Sequence, residues 1–192
     1  MNKNIILAGV GGQGILTLAA VIDHAAMQSG LQIKQAEVHG MSQRGGAVQS
    51  HLRISDQNIY SDLIPLGKAD LIVSLEPLEA LRYLPYLSEN GVIITATEPV
   101  KNIPDYPEEA DILNKIKSSG HKYLLVDAGK IARLAGNPKT ENVVMVGVLS
   151  DFVGIEKAQF EKSLKEMFSA KGEKIVALNL KAFNLGYEHA QQ

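Results

Sequence analysis

Apolar runs that end in glycine alternate with helical periodicity along the first part of the chain. Residues 4–9 form an apolar run, which is typical of a strand buried on both faces of a parallel sheet. Apolar residues then recur at helical spacing from Ile15 to Ala26, and Gly30 predicts the end of this helix. Residues 31–38 predict a second strand, so the first forty residues predict a βαβ unit with parallel strands.

The next segment alternates between apolar and polar residues. On a strand predicted at 47–54, one side carries Val48, Leu52 and Ile54. The other side carries Gln49, His51 and Arg53. This alternation predicts a strand with one solvated face, paired through a short turn with a strand near Ile59 and Tyr60. We therefore expect an antiparallel hairpin beside the parallel sheet.

The remaining pattern adds strands and helices in turn and becomes helical from Gly129 onward. Further strands are predicted at 70–75, 91–95 and 122–127. Helices are predicted at 78–84, 112–119, 130–135, 142–153, 155–168 and 174–189, with a long proline-rich connection at 98–109. The expected fold is α/β: a Rossmann-like, mostly parallel sheet flanked by helices, with a β-hairpin addition and a helical C-terminal segment. We expect a single domain over residues 1–192.

The composition narrows the expected partners and location. A net charge of −2 with no basic or acidic block argues against nucleic acid and membrane surfaces as partners. The chain contains no cysteine, so it cannot hold an iron–sulfur cluster through its own thiolates. The apolar run before Gly9 is too short for the core of a signal peptide, and a cytoplasmic location is expected. The histidines are scattered, so no metal site is predicted.

The first glycine-rich loop, Gly9-Val10-Gly11-Gly12-Gln13-Gly14, lies between a predicted strand and a predicted helix. Its glycines satisfy the G-x-G-x-x-G pattern of dinucleotide-binding folds, and Glu37 ends the next strand near the position of a ribose-binding acid. Gln13 can donate and accept hydrogen bonds at the mouth of the loop, and the helix N-terminus behind it favours an anion. The same glycines would serve a tight packing turn without a ligand, and both interpretations stay open.

The second glycine-rich loop, His39-Gly40-Met41-Ser42-Gln43-Arg44-Gly45-Gly46, follows the second predicted strand. Arg44 can form paired hydrogen bonds with a phosphate, a carboxylate or an acid of a partner subunit. His39 can act as an acid, a base or an orienting donor, or can simply be satisfied in place. Because both loops follow strands that are expected to be neighbours, their N–H groups are expected to line one crevice suited to phosphate, pyrophosphate or carboxylate.

Polar residues elsewhere mostly predict structural roles. His51 is expected at the surface or at an interface. Glu79 and Arg82 predict an ion pair on an exposed helix face, whereas Glu76 follows a buried strand and is expected at the crevice end of the sheet. Asn142 predicts the cap of a helix.

Taken in order, these segments resemble one known family. The matching segments are Gly-Val-Gly-Gly-Gln-Gly at 9–14, Glu-Val-His-Gly-Met-Ser-Gln-Arg-Gly-Gly at 37–46, Ser-His-Leu-Arg-Ile at 50–54, Leu-Ile-Pro at 63–65, Ala-Asp-Leu-Ile at 69–72, Glu-Pro-Leu-Glu-Ala-Leu-Arg at 76–82, residues 142–147, and Asn-Leu-Lys-Ala-Phe at 179–183. The chain resembles the gamma-type subunits of the 2-oxoacid:ferredoxin oxidoreductases, most closely the small (beta) subunits of the indolepyruvate enzymes. Ser42 and Ala47 stand where alanine and serine are common in the family, which leaves open which 2-oxoacid is used.

The resemblance implies an enzyme subunit that is inactive alone. Enzymes of this family decarboxylate a 2-oxoacid oxidatively, form an acyl-CoA and pass electrons to ferredoxin. Thiamine diphosphate, Mg and the 4Fe–4S clusters are then expected on a larger partner subunit, with this chain shaping the active site and holding part of coenzyme A (CoA). The expected catalytic residues are His39 and Arg44. The expected cofactor-binding residues are Gly9, Gly11, Gly12, Gln13, Gly14, Gln43, Arg44, Gly45 and Gly46.

Two other functions remain compatible with the residues themselves. A stand-alone NAD(P)-dependent dehydrogenase would use the first loop and Glu37 for a dinucleotide. A non-catalytic scaffold would use the glycines only to let the backbone of a partner approach closely.

Overall fold

The computed structural model describes residues 1–39 and 45–192, with the backbone alone at His39; Gly40–Arg44 lie outside the described residues. One six-stranded sheet organises the described part of the chain. Its strands are β1 (Asn2–Val10), β2 (Gln32–His39), β3 (Ala47–Ser55), β4 (Ala69–Ser74), β5 (Leu87–Ala96) and β6 (Lys122–Val126). The helices are α1 (Ile15–Gln28), α2 (Pro77–Arg82), α3 (Glu109–Lys117), α4 (Ala128–Ala135), α5 (Glu141–Ser150), α6 (Lys157–Phe168) and α7 (Glu173–Ala190).

The sheet has the order β2-β3-β1-β4-β5-β6 and is mostly parallel. β1, β4, β5 and β6 pair in parallel, whereas β3 pairs antiparallel with both β1 and β2. β2 therefore runs in the same direction as β1. The predicted Rossmann-like, mostly parallel sheet is confirmed, and so is the helical C-terminal segment. None of the described helices combines the length and hydrophobicity that crossing a bilayer requires.

The position of β3 corrects three predictions. β2 is not a neighbour of β1, because β3 lies between them and pairs with each along its full length. The hairpin partner of β3 is β2, and Ile59 and Tyr60 form no strand. The predicted solvated face is also wrong, since His51 on that face is only 3% exposed and Gln49 and Arg53 beside it are half-buried. β3 has a neighbouring strand on each edge, α1 packs on the face of Leu52 and Ile54, and the ring of His51 on the other face meets Ile64 and Tyr86.

Consecutive residues of β1 reach two separate cores. Ile5 and Leu7 belong to the larger core, which includes side chains of α1 and α4 to α7. Ile6 and Ala8 belong to the smaller core, on the face covered by α2 and α3. Because side chains alternate between the faces of a strand, a sheet covered on both sides requires an unbroken apolar run. This is the physical reason for the composition of the first strand.

Helices α5 and α7 pack through reciprocal glycines. A methyl group at Gly147 would overlap the carbonyl oxygen of Phe183 and lie 2.8 Å from the backbone nitrogen of Tyr187. A methyl group at Gly186 would in turn overlap the carbonyl oxygen of Val144. The two backbones therefore touch directly, and only residues without a side chain fit at the crossing.

Asp23 is a partly buried acid on α1. Its Oδ1 is buried and has no hydrogen-bond partner among the described residues. Burial raises the pKa of this carboxyl from 3.8 to about 6, because desolvation penalises its charged form. The folded protein thus keeps a proton that the unfolded chain releases between these two values. The contribution of Asp23 to the free energy of unfolding therefore falls as the pH rises through this window.

The substitution Asp23→Asn is expected to raise the free energy of unfolding by about 1–2 kcal/mol at pH 7.5, where the native carboxylate is charged. At pH 4 the gain should be much smaller, because the folded protein already holds the neutral acid. Urea denaturation at both pH values measures the difference. Asp105→Asn, at an exposed position, is the control and should change stability by less than about 0.5 kcal/mol at either pH. An equal gain at both pH values would contradict the burial argument.

Candidate functional site

The first glycine-rich loop turns the chain from β1 into α1. Gly14 precedes the helix with φ 82° and ψ 31°, a left-handed conformation that favours glycine. A methyl group at Gly14 would lie 2.6 Å from the Nδ2 atom of Asn142. That Nδ2 donates to the carbonyl of Gly14 at 3.3 Å, and the same carbonyl accepts the N–H of Leu18 at 3.0 Å. The turn is therefore fixed by its own helix and by α5.

Asn142 does not cap α5 as predicted. The 3₁₀ turn Pro138–Thr140 runs directly into the helix, so that α5 begins at Glu141 and Asn142 lies in its first turn. The Oδ1 of Asn142 accepts the N–H of Val143 at 3.0 Å. Its side chain is thus held by its own helix and by the glycine loop.

Gln13 joins the ends of two adjacent parallel strands. Its Oε1 accepts the N–H of Val10 at 2.7 Å, and its Nε2 donates to the carbonyl of Leu75 at 2.7 Å. The N–H of Leu75 in turn donates to the carbonyl of Ala8 at 3.0 Å. The expected role of Gln13 at the mouth of the loop is therefore limited, because each end of its amide already serves a backbone group.

The described ends of the two glycine-rich loops meet. The N–H of Gly11 donates to the carbonyl of Gly46 at 2.8 Å, and the N–H of Gly45 donates to the carbonyl of Gly11 at 3.2 Å. These bonds continue the ladder in which Val10 pairs with Ala47. The loops therefore adjoin because β3 returns between β1 and β2, and not because their strands are neighbours.

Several predicted site residues are not placed by the structure. Gln43 and Arg44 lie outside the described residues, and the side chain of His39 is not described. The roles assigned to these residues from the sequence stay predictions. The structure brings together Gly9, Gly11, Gly12, Gln13, Gly14, Gly45 and Gly46.

The 97–108 connection crosses the same edge of the sheet. The Nδ2 of Asn102 donates to the carbonyl of Gly45 at 2.7 Å, and the hydroxyl of Tyr106 donates to a carboxylate oxygen of Glu76. Burial, with the bond to Glu76, raises the pKa of the Tyr106 hydroxyl far above its usual value, so that it stays a donor. Sequence reasoning missed both anchors, because each depends on a partner distant in the chain.

Glu76 lies at the carboxyl end of β4, as expected, but it is 1% exposed. Its Oε2 accepts the N–H of Glu79 at 2.9 Å, which makes Glu76 the cap of α2. The ion pair of Glu79 with Arg82 is present at 2.9 Å. The exposed face predicted for it is wrong, because Glu79 is buried beneath the guanidinium. The carboxylate of Glu76 is thus used by hydrogen bonds within the protein and is not exposed to the crevice.

His51 is also buried, not exposed. Its Nδ1 accepts the N–H of Ile64 at 3.0 Å, and its ring meets Tyr86 edge to face with 5.2 Å between centroids. Burial lowers the pKa of the imidazole, although the nearby carboxylate of Asp62 opposes this shift. Its accepting Nδ1 is consistent with a neutral ring that organises the loop after β3.

The electrostatics divide this edge of the sheet into two parts. At the β1 end, the first turn of α1 carries no acidic residue, and no described side chain caps its N-terminus. Backbone N–H groups and the helix dipole favour an anion there. At the other end, Glu98 and Asp127 follow β5 and β6, and burial with the charge of Glu98 raises the pKa of Glu141. An anion is therefore favoured beside the glycine loops and disfavoured beside β5 and β6.

The geometry fits other ligands poorly. Glu37 pairs with Ser50 of β3, so two strand spacings of about 4.8 Å each separate its strand from β1. A ribose-binding acid of a dinucleotide site would instead follow the strand next to β1. Among the described residues, no group of three or more His, Asp or Glu side chains could share a metal ion.

Comparisons with known proteins agree with the fold and with the sequence motifs. The family model described as pyruvate ferredoxin/flavodoxin oxidoreductase matches residues 4–189. Subunit IorB of indolepyruvate oxidoreductase from Archaeoglobus fulgidus is 40% identical over 200 residues, which cover 99% of this chain and 96% of that protein. The corresponding subunit from Thermococcus kodakarensis is 39% identical over 198 residues, covering 98% of this chain and 96% of that protein.

Solved structures show the same architecture. The gamma subunit of a keto/oxoacid ferredoxin oxidoreductase from Geobacter sulfurreducens matches with a TM-score of 0.73 and 26% identity, covering 98% of each chain. The 2-oxoglutarate:ferredoxin oxidoreductase from Magnetococcus marinus, solved with 2-oxoglutarate, coenzyme A and succinyl-CoA, matches with a TM-score of 0.79 and 20% identity. That match covers 99% of this chain and 31% of the longer one. The chain belongs to the pyruvate ferredoxin/flavodoxin oxidoreductase family.

Proposed function

We propose that this chain is the small subunit of a thiamine-diphosphate-dependent 2-oxoacid:ferredoxin oxidoreductase that acts on indolepyruvate or another aryl pyruvate. The enzyme would decarboxylate the 2-oxoacid oxidatively to an acyl-CoA and pass the electrons to ferredoxin. The observation that carries the proposal is the 40% identity to an indolepyruvate oxidoreductase subunit over nearly the whole of both chains.

The absence of cysteine supports a division of labour between two subunits. Iron–sulfur clusters are held mainly by cysteine thiolates, and this chain has none. The clusters, with thiamine diphosphate and Mg, would therefore belong to a larger partner subunit. The small subunit alone would have no route for electrons and would be inactive.

The meeting of the two glycine loops supports a role in binding the anionic part of CoA. Gly12 is exposed with φ 107°, and a methyl group there would meet no described atom within 4 Å. The open space lies beside the N-terminus of α1, where backbone N–H groups favour phosphate. We assign this place to a phosphate of CoA, with paired hydrogen bonds from Arg44 as its proposed contact. The catalytic role of His39 stays a prediction from the sequence.

Purification of the complex tests the proposed function. The chain, expressed with its cluster-bearing large subunit, should copurify with it and reduce ferredoxin in a reaction that requires both indolepyruvate and CoA. Each subunit assayed alone should be inactive. Isolation of this chain as an active enzyme without the large subunit would contradict the proposal. A complex that oxidises no aryl pyruvate would also contradict it.

A pair of variants with the same shape but different charge tests the CoA site. In the complex, Gly12→Asp is expected to raise the KM for CoA about tenfold relative to Gly12→Asn, because the added carboxylate repels a phosphate. Both variants carry the same backbone strain at φ 107°, so their comparison isolates the charge. The KM for the 2-oxoacid is the internal control and should differ by less than about twofold. Equal KM values for CoA would exclude a phosphate beside Gly12.

A non-catalytic scaffold is the second candidate, and Gln13 is the observation that favours it. Both ends of its amide serve backbone groups, as a purely structural residue would require. In that case the variants at Gly12 would alter neither the KM for CoA nor kcat while the complex still assembled.

A stand-alone dehydrogenase is disfavoured by the distance of Glu37 from β1. Titration of the isolated chain with NADH and NADPH should therefore give no fluorescence change.

A further inference from the structure

The 56–68 loop joins β3 to β4 without forming a helix or strand, yet it is fixed by hydrogen bonds. A guanidinium N–H of Arg53 donates to the carbonyl of Ser61 at 2.9 Å, and the N–H of Ile64 donates to the ring of His51 at 3.0 Å. The N–H of Gly67 donates to the carbonyl of Pro85 at 2.9 Å. These contacts hold the loop in one conformation against the body of the protein.

This fixed loop holds large apolar side chains in solvent. Leu63 is 56% exposed and Leu66 is 64% exposed, although buried Ile64 lies between them. An exposed leucine on a mobile loop could turn toward the protein, but here the hydrogen bonds prevent it. Rigid, exposed apolar residues are typical of surfaces that bind another polypeptide.

A groove adjoins the loop at Pro85. It has a volume of about 780 Å³ and is lined by Leu78, Leu81, Arg82, Leu84, Pro85, Lys115, Ser119 and His121. Its floor is leucine and proline, and its charged lining residues, Arg82 and Lys115, are both cations. Lys115 forms no ion pair with any described residue, whereas Arg82 is held in place by Glu79. The groove therefore offers apolar contact with an unbalanced positive charge.

The groove lies far from the glycine loops. Its residues precede the amino ends of β5 and β6, at Leu84–Pro85 and at His121, whereas the glycine loops follow the carboxyl end of β1. Since these strands are parallel, the two places lie at opposite edges of the sheet. A partner in the groove would not occupy the proposed CoA site.

We infer that Leu66 and this groove together form the docking surface for the large subunit, which would present apolar side chains flanked by carboxylates. The identity of that partner rests on the proposed function. The charge argues for carboxylates, because no acid lines the groove and Lys115 has no acidic partner among the described residues, whereas the charge of Arg82 is already balanced by Glu79. The leucines supply the apolar area that a stable interface needs at its centre.

Competition for a limiting large subunit tests this inference. Wild-type and variant chains with different tags are expressed together with the large subunit, and the captured complex is analysed by mass spectrometry. Leu66→Asp should lower the ratio of variant to wild type about tenfold, and Lys115→Glu about threefold. Leu134→Asp and Lys165→Glu are the controls and should stay within twofold of wild type. Leu134 is 63% exposed on α4, and Lys165 lies in the last turn of α6 as Lys115 does in α3.

The outcomes separate the surface from the function. If wild type is captured and both groove variants compete equally with it, the docking surface is wrong and the proposed function stands. If wild type itself is not captured, both proposals fail. If the isolated chain sediments as a dimer that Leu66→Asp dissociates, the surface binds a second copy and the inference is wrong. The melting temperature of Leu66→Asp should stay within about 2 °C of wild type, which excludes misfolding as the cause.

Discussion

Replacing Gln13 with glutamate is expected to lower the free energy of unfolding by about 3 kcal/mol at pH 8, although the two side chains have the same shape. The Oε1 of residue 13 can still accept the N–H of Val10. The atom that replaces Nε2, however, is an oxygen that would face the carbonyl of Leu75 at 2.7 Å. A donor is lost, and a negative charge is set against a carbonyl dipole in a part-buried place.

The loss of unfolding free energy in Gln13→Glu should depend strongly on pH. Burial and the facing carbonyl raise the pKa of the introduced carboxyl in the folded state, so the fold holds a proton that the unfolded chain releases. The protonated acid can donate to Leu75 as the amide does. Relative to wild type at the same pH, the variant should therefore lose less than about 1 kcal/mol of unfolding free energy at pH 4.5 and the full value of about 3 kcal/mol at pH 8. Urea denaturation followed by circular dichroism measures both values.

Gln57→Glu provides the matched control for this experiment. It makes the same chemical change on an exposed side chain that has no hydrogen bond among the described residues. Its effect should stay within about 0.5 kcal/mol at both pH values. A Gln13→Glu protein as stable as wild type at pH 8 would mean that the bridge between β1 and β4 does not stabilise the fold.

The substitution Gly147→Ala is expected to cost about 2–3 kcal/mol and to lower the melting temperature by about 5–10 °C. An alanine in a helix ordinarily gains up to about 1 kcal/mol over glycine. Here the new methyl group would overlap the backbone of α7 at Phe183, and a backbone cannot move aside as a side chain can. The two helices would have to separate, which would loosen the packing between α5 and the rest of the larger core.

Gly129→Ala is the matched control, because Gly129 is also helical and also closely approached. The three atoms nearest to its methyl group would all belong to the carboxylate of Glu98, an exposed side chain that can swing away. The change should be neutral within about 1 kcal/mol. Differential scanning calorimetry of both variants makes the comparison. Equal melting temperatures for the two variants would show that α5 and α7 tolerate separation.

Much of the fold was predictable because its signals are local. The apolar run of β1 reports burial on both faces, and Gly30 ends α1 with φ 74° while its N–H donates to the carbonyl of Met27. Both facts depend on residues within a few positions of each other. The same holds for the strands β4 to β6, whose apolar runs predicted their places to within a few residues.

The arrangement of β3 was not predictable, because its polar residues suggested contact with solvent. His51 and Arg53 are instead satisfied by partners elsewhere: the loop at Ile64 for the imidazole, and Asn4 for the guanidinium at 2.9 Å. Alternation reports which residues are polar, not whether the tertiary structure offers them partners. The strand order was wrong for a different reason: the strand–helix–strand pattern of the first forty residues predicts β1 and β2 as neighbours, whereas β3 lies between them.

For the candidate site, the sequence predicted the glycine loops but not what ties them together. The glycines are visible as a motif, whereas Gln13 binds Leu75 from 62 residues away and Asn102 binds Gly45 from 57 residues away. Such contacts carry no local pattern. A motif can thus place a loop on the sheet edge without showing which of its side chains remain available to a ligand.

The insertion of β3 between two earlier strands has a consequence for how this half of the protein can be assembled. β1 and β2 share no hydrogen-bonded ladder, so the segment that ends at His39 is not a self-contained unit. Its two strands are joined into one sheet only by residues that leave the ribosome after them. Anything that delayed or removed β3 would leave a gap one strand wide between β2 and the rest of the sheet.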